Sequence, residues 1–242
     1  MCASTIGAVW KGEAMSERHV MSVGGLRISY LDAGSSGAPV LVLLHALGDQ
    51  ANNWEPVLSQ FADQYRVLAP DLRGHGESDW PGSYAFETYA DDVVGFLDAV
   101  ELDPVTLVGH SMGGVIAYLI AMRQPDRVQR LVVEDVAPPL PRDRPIPDRP
   151  AEPINFDWDV APAIIGQVNR GEPDVWSKLV DITAPTLLVG GGVDSHIPQQ
   201  QLEDVRNLIP ACELVTLPAG HYVHQALPDV FGRTVLDWLS TF

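Results

Sequence analysis

The sequence predicts an α/β domain built around a mostly parallel sheet. Three observations carry that expectation. Strand-like and helix-like patterns alternate along most of the chain. The strand-like segments are continuous apolar runs rich in β-branched residues, as strands buried on both faces require. The 242 residues, 46% of them hydrophobic, also supply enough apolar material for one large domain.

The elements follow in order. Val20–Val23 and Leu26–Leu31 flank Gly24-Gly25 and read as a hairpin of the first two strands. Core strands are expected at Val40–Leu44, Arg66–Ala69, Val105–Val108, Leu131–Val133, Thr186–Val189 and Glu213–Leu217. Helical periodicity runs over about Glu55–Tyr65, Glu87–Val100, Met112–Arg123, Gln200–Leu208 and Pro228–Leu239, the third stopping before Pro125. One stretch breaks the alternation. Residues 137–185 separate two core strands and open with Pro138, Pro139, Pro141, Pro145, Pro147, Pro150 and Pro153. Proline fixes φ and donates no hydrogen bond, so this part is expected to be extended and irregular. Two short helices are expected after it, over Asp157–Asn169 and Pro173–Val180. The core is therefore assigned to 18–136 and 186–242 and a short cap to 137–185. Residues 1–17 are read as a dispensable extension, with Met15 as an alternative start.

Composition narrows the function. Fifteen basic against 32 acidic residues give a net charge of −17, which repels phosphate backbones and anionic lipid. No nucleic-acid or membrane partner is expected. Cys2 and Cys212 form neither a disulfide framework nor a zinc cluster. No apolar run reaches the length of a membrane span, and the first twenty residues lack the pattern of a signal peptide. A cytoplasmic protein without cofactor or metal is expected, its partner a small-molecule ester.

The chemistry centres on Thr106-Leu107-Val108-Gly109-His110-Ser111-Met112-Gly113-Gly114, a strand, then G-x-S-x-G, then a helix. A sharp strand-to-helix turn thrusts the serine hydroxyl outward, and the glycines remove side chains where helix and strand close on each other. Ser111 is the candidate nucleophile, and the N–H of Met112, at the helix start, is a candidate oxyanion donor. A serine needs a base. His221, in Pro218-Ala219-Gly220-His221, follows the last core strand and is the candidate. Two aspartates compete for the third position. Asp194 follows the strand at Thr186–Val189 and is preferred as the commoner placement in this architecture; Asp135, after the preceding strand, is the alternative. The turn after Val40–Leu44, His45-Ala46-Leu47-Gly48, offers the Leu47 N–H as second oxyanion donor. His45, His110, Trp158 and Trp176 are candidate substrate-binding residues, with Phe156 beside them. His45 is also read as ordering its loop, and the aromatic residues as packing the cap. Asp71-Leu72-Arg73-Gly74-His75-Gly76-Glu77-Ser78 reads as a structural turn.

Taken together, these segments resemble the α/β-hydrolase superfamily, in order and spacing from about residue 20 onward; Gly109-His110-Ser111-Met112-Gly113-Gly114 is most like small serine esterases. The resemblance implies an eight-stranded sheet flanked by helices, with a cap between strands six and seven, and catalytic Ser111 and His221. Some of these esterases place the acid where Asp135 stands. One departure is Ala46, where relatives usually carry glycine; an L side chain there requires a loop that avoids positive φ. A serine elbow also separates the chain from dehalogenases and epoxide hydrolases, which attack with aspartate. The expected reaction is hydrolysis of small, uncharged or apolar carboxylic esters through an acyl-enzyme. Thioesterase, lactonase, carbon–carbon bond hydrolase and perhydrolase chemistry use the same residues, and a ligand-binding or signalling protein with a vestigial triad is the alternative of another class.

Overall fold

The computed structural model describes residues 16–171 and 173–242. Eight strands form one sheet in the order β1-β2-β4-β3-β5-β6-β7-β8. They are β1 (Glu17–Val23), β2 (Leu26–Ala33), β3 (Val40–Leu44), β4 (Arg66–Pro70), β5 (Val105–His110), β6 (Val128–Glu134), β7 (Thr186–Gly190) and β8 (Cys212–Thr216). β1 and β2 form the expected hairpin, and β2 also pairs antiparallel with β4. All other pairings are parallel. β1 opens at Glu17, one residue inside the stretch read as an extension; residues 1–15 of that stretch lie outside the described residues.

The continuous apolar runs have the physical cause expected of them, because alternate side chains enter different cores. Val42 and Leu44 of β3 face one core, Leu41 and Leu43 the other. Leu107 and Val108 of β5 divide in the same way. The first core is roofed by α2 (Phe86–Ala99), α3 (Met112–Arg123) and α6 (Gln199–Leu208), the second by α1 (Glu55–Ala62) and α8 (Pro228–Leu239). Between β6 and β7 the chain first runs irregularly through the prolines, then forms α4 (Val160–Arg170) and α5 (Pro173–Lys178). A single helical turn, α7 (Val223–Ala226), follows the His221 loop; hydrophobic periodicity cannot register so short an element. Among the described residues no helix is long and apolar enough to cross a membrane.

Parallel strands place their carboxyl ends along one edge of the sheet. The loops after β3, β5, β6, β7 and β8 therefore open on the same side.

Candidate active site

Ser111 sits between β5 and α3 with φ 51° and ψ −114°, a conformation that L residues rarely adopt. The glycines around it are required by close approach. A Cβ on Gly109 would collide with the Gly113 carbonyl, and one on Gly113 with the Leu44 carbonyl of β3. The bend is tied to the neighbouring strand, since the Ser111 N–H donates to the Glu134 carbonyl at 3.2 Å. The Met112 N–H opens α3, where no intrahelical acceptor exists.

Register brings the second residue to the same place. His110 and Glu134 are cross-strand partners, so Ser111 and Asp135 leave adjacent strand ends. Asp135 also has a left-handed backbone, φ 47°, and its side chain is fully buried. Its Oδ2 accepts from His221 Nδ1 at 2.8 Å and from the Ser195 hydroxyl. Its Oδ1 accepts from the Gly191 N–H at 2.7 Å and from Gln199 Nε2 at 3.3 Å. Burial alone would raise its pKa; the bonds from His221, Ser195, Gly191 and Gln199 outweigh it and hold the carboxyl below its ordinary value. Because Nδ1 of His221 donates to Asp135, its Nε2 is left to act as acceptor.

The preference for Asp194 is corrected by this geometry. Asp194 is exposed at the end of a 3-10 turn, Gly192–Asp194, and the β7 loop reaches Asp135 through the next residue, Ser195. The alternative, Asp135, is the carboxylate that meets His221.

Ser111, Met112, Leu47 and His221 all line one cavity of about 260 Å³, walled on its other side by the proline-rich segment and α4. The Leu47 N–H makes no backbone hydrogen bond among the described residues. Ala46 is not among the positive-φ residues, so the loop accommodates its methyl without left-handed strain.

Four candidate substrate residues lie elsewhere. His45 is buried; its Nδ1 donates to the Ala46 carbonyl at 2.8 Å and its Nε2 accepts the Leu72 N–H at 2.9 Å. Burial holds its pKa down at about 4, so it is a neutral strut for the loop. His110 is also completely buried, and its Nε2 donates to the His221 carbonyl at 2.9 Å. Trp158 packs toward Phe156, ring centroids 6.1 Å apart, away from the cavity. Trp176 does not line the cavity but braces it, its indole N–H donating to the Pro138 carbonyl at 2.9 Å.

The Asp71–Ser78 turn is structural, as read from sequence. Asp71 Oδ1 accepts the Ala51 N–H at 2.7 Å, and its Oδ2 accepts from Arg18 at 2.7 Å. His75 Nε2 takes the Gly48 N–H at 3.2 Å, fixing the loop that carries Leu47.

Sequence reasoning missed a second buried pair. His224 Nδ1 donates to Glu134 at 2.7 and 2.9 Å, and the His224 N–H donates to Glu134 Oε1 at 2.9 Å. Both side chains are essentially without solvent contact, and Trp54 stacks on the imidazole at 4.2 Å. Burial would raise the Glu134 pKa, but His110 and His224 pull it below the ordinary value. The signal was a carboxylate closing an apolar strand run, Leu131-Val132-Val133-Glu134. His110, Glu134 and His224 each offer a donor atom within 4.8 Å of one another, the arrangement a metal could use. Both Glu134 oxygens already face His224 Nδ1, so the group is built as a carboxylate–imidazole pair.

A strained serine at a strand-to-helix turn, at the carboxyl edge of an eight-stranded sheet and beside a histidine–aspartate pair, is the arrangement of α/β hydrolases. The chain belongs to the α/β-hydrolase superfamily: the family model described as alpha/beta hydrolase fold matches residues 39–158. A Bacillus subtilis protein named putative 2-succinyl-6-hydroxy-2,4-cyclohexadiene-1-carboxylate synthase is 27% identical, over 90% of this chain and 96% of its own. Mouse sn-1-specific diacylglycerol lipase ABHD11 is also 27% identical, over 89% of this chain and 86% of its own. Among solved structures, a bacterial membrane phospholipase A superposes with a TM-score of 0.80 at 27% identity, covering 96% of this chain and 88% of that one.

Proposed function

We propose that the protein is a serine hydrolase that cleaves small carboxylic esters through an acyl-enzyme. The observation that carries this reading is the 2.8 Å bond from His221 Nδ1 to the buried Asp135, made beside a serine held at φ 51° in the same cavity. Ser111 attacks the acyl carbon and His221 Nε2 takes its proton. Asp135 holds the imidazole in the required tautomer and stabilises the imidazolium. The N–H groups of Met112 and Leu47 stabilise the oxyanion, and water activated by His221 then clears the acyl group. Residues 137–185 act as the cap over this site, with Pro138 held in its wall by Trp176.

The names of the relatives support hydrolase chemistry at the level of class: a lipase and a phospholipase stand beside a synthase on a common fold. The test is reaction with a fluorophosphonate. The reading predicts covalent labelling that Ser111→Ala abolishes. A folded chain that takes no label would instead be a ligand-binding protein with a vestigial triad.

A further inference from the structure

We infer that the cavity takes an acyl group carrying a carboxylate at its far end, selected by Arg142 and Arg144; this rests on Ser111 being the nucleophile. The expectation of an uncharged substrate came from residue types alone. Residue types do not tell which residues of the proline-rich segment line the cavity.

Arg142 and Arg144 both line the cavity, while Asp143 between them does not. The two arginines are held in place from α4. The Arg142 N–H donates to the Asn169 carbonyl at 3.1 Å, and the Arg144 N–H to Asn169 Oδ1 at 2.9 Å. Asn169 Nδ2 returns a bond to the Arg144 carbonyl at 2.8 Å. An otherwise irregular segment is thus fastened at the two residues that carry the charge.

The electrostatic setting is the second line of support. Among the described residues no Asp or Glu lines the cavity, in a chain with 32 acidic residues. Arg18, Arg27, Arg66, Arg73 and Arg127 each pair with a carboxylate. Arg142 and Arg144 form no ion pair among the described residues. Burial and repulsion from Arg144 lower the Arg142 pKa, the mark of two like charges drawn together and partly desolvated. His196, whose ring centroid is 4.2 Å from that of His221, feels both arginines as well. Two arginines therefore line the cavity that also holds the proposed base, and their charge meets no carboxylate among the described residues. A carboxylate answers it and matches the guanidinium fork. A surface with a net charge of −17 repels anions elsewhere, so the arginines also localise where an anion docks.

The experiment compares kcat/KM for the 4-nitrophenyl monoester of glutaric acid with that for 4-nitrophenyl pentanoate. The charged ester is expected to be preferred by about fivefold to tenfold, as suits solvent-accessible arginines. The ratio is expected to fall toward unity in Arg142→Gln/Arg144→Gln and at about 0.5 M salt, and to persist in Arg142→Lys/Arg144→Lys. Each single Gln variant should lower it partway, which keeps the test open if the double variant folds poorly. If turnover is slow, the same preference is read as protection of Ser111 from a fluorophosphonate by glutarate but not by pentanoate. A ratio at or below unity, or one unchanged by the double Gln variant, overturns the inference. Labelling without preference overturns it alone; absence of labelling in the same samples overturns the serine reading beneath it.

Discussion

Two residues of the proposed triad, Ser111 and Asp135, are held at positive φ without being glycine, each one residue beyond a strand end. The sheet supplies the strain energy, because their neighbours His110 and Glu134 are fixed partners in the ladder. Behind them lies the Glu134–His224 pair, one residue from Asp135 and three from His221. It anchors α7 and so the loop carrying the proposed base. Since Glu134 titrates below its ordinary value in the folded state, the stability it contributes is complete above the unfolded carboxylate pKa of about 4 and is lost as pH falls through the lowered folded value. Glu134→Gln should therefore lose about 2–4 kcal/mol at neutral pH, and the deficit should shrink in acid, where Glu134 is itself protonated. Urea unfolding of both proteins at neutral and acid pH measures this; a deficit that is constant with pH contradicts it. The proposed acid was harder to read from sequence. Asp135 and Asp194 both follow strands, and residue spacing does not reveal that a 3-10 turn exposes Asp194 and presents Ser195 instead.

At the scale of elements, α3 does the positioning. Every one of its first ten residues is buried, so it has no amphipathic stripe, yet its glycines and the strand before it made it legible. Gly113 lets it lie directly on β3, whose Leu44 carbonyl leaves no room for a Cβ. Gly113→Ala should cost about 2–4 kcal/mol, because the obstruction is backbone and cannot swing aside. It should also lower kcat more than a surface helix Gly→Ala control of equal thermal shift. Thermal melts with parallel ester kinetics test this, and a neutral substitution would contradict the close packing. The longer elements were legible within a few residues because burial on two faces or one leaves a clear period. What escaped was short or held by a few hydrogen bonds: the turn of α7, the Asn169 clamp on Arg142 and Arg144, and which residues of an irregular segment line the cavity.

Across the whole molecule, the sheet order is what assembles the chemistry. β5, β6, β7 and β8 are consecutive neighbours, so Ser111, Asp135, Ser195 and His221 converge although the chain between the first and last spans most of its second half. The α/β class and the serine turn were legible because local pattern fixes both. The partner of His221 was not, because it depends on three loops meeting in space. The most direct test of the account is therefore the pair Asp135→Asn and Asp194→Asn, assayed for kcat on a 4-nitrophenyl ester with folding checked by circular dichroism. The account predicts a fall of about 10²–10⁴ for Asp135→Asn and less than about threefold for Asp194→Asn. The reverse order in two folded proteins would contradict it.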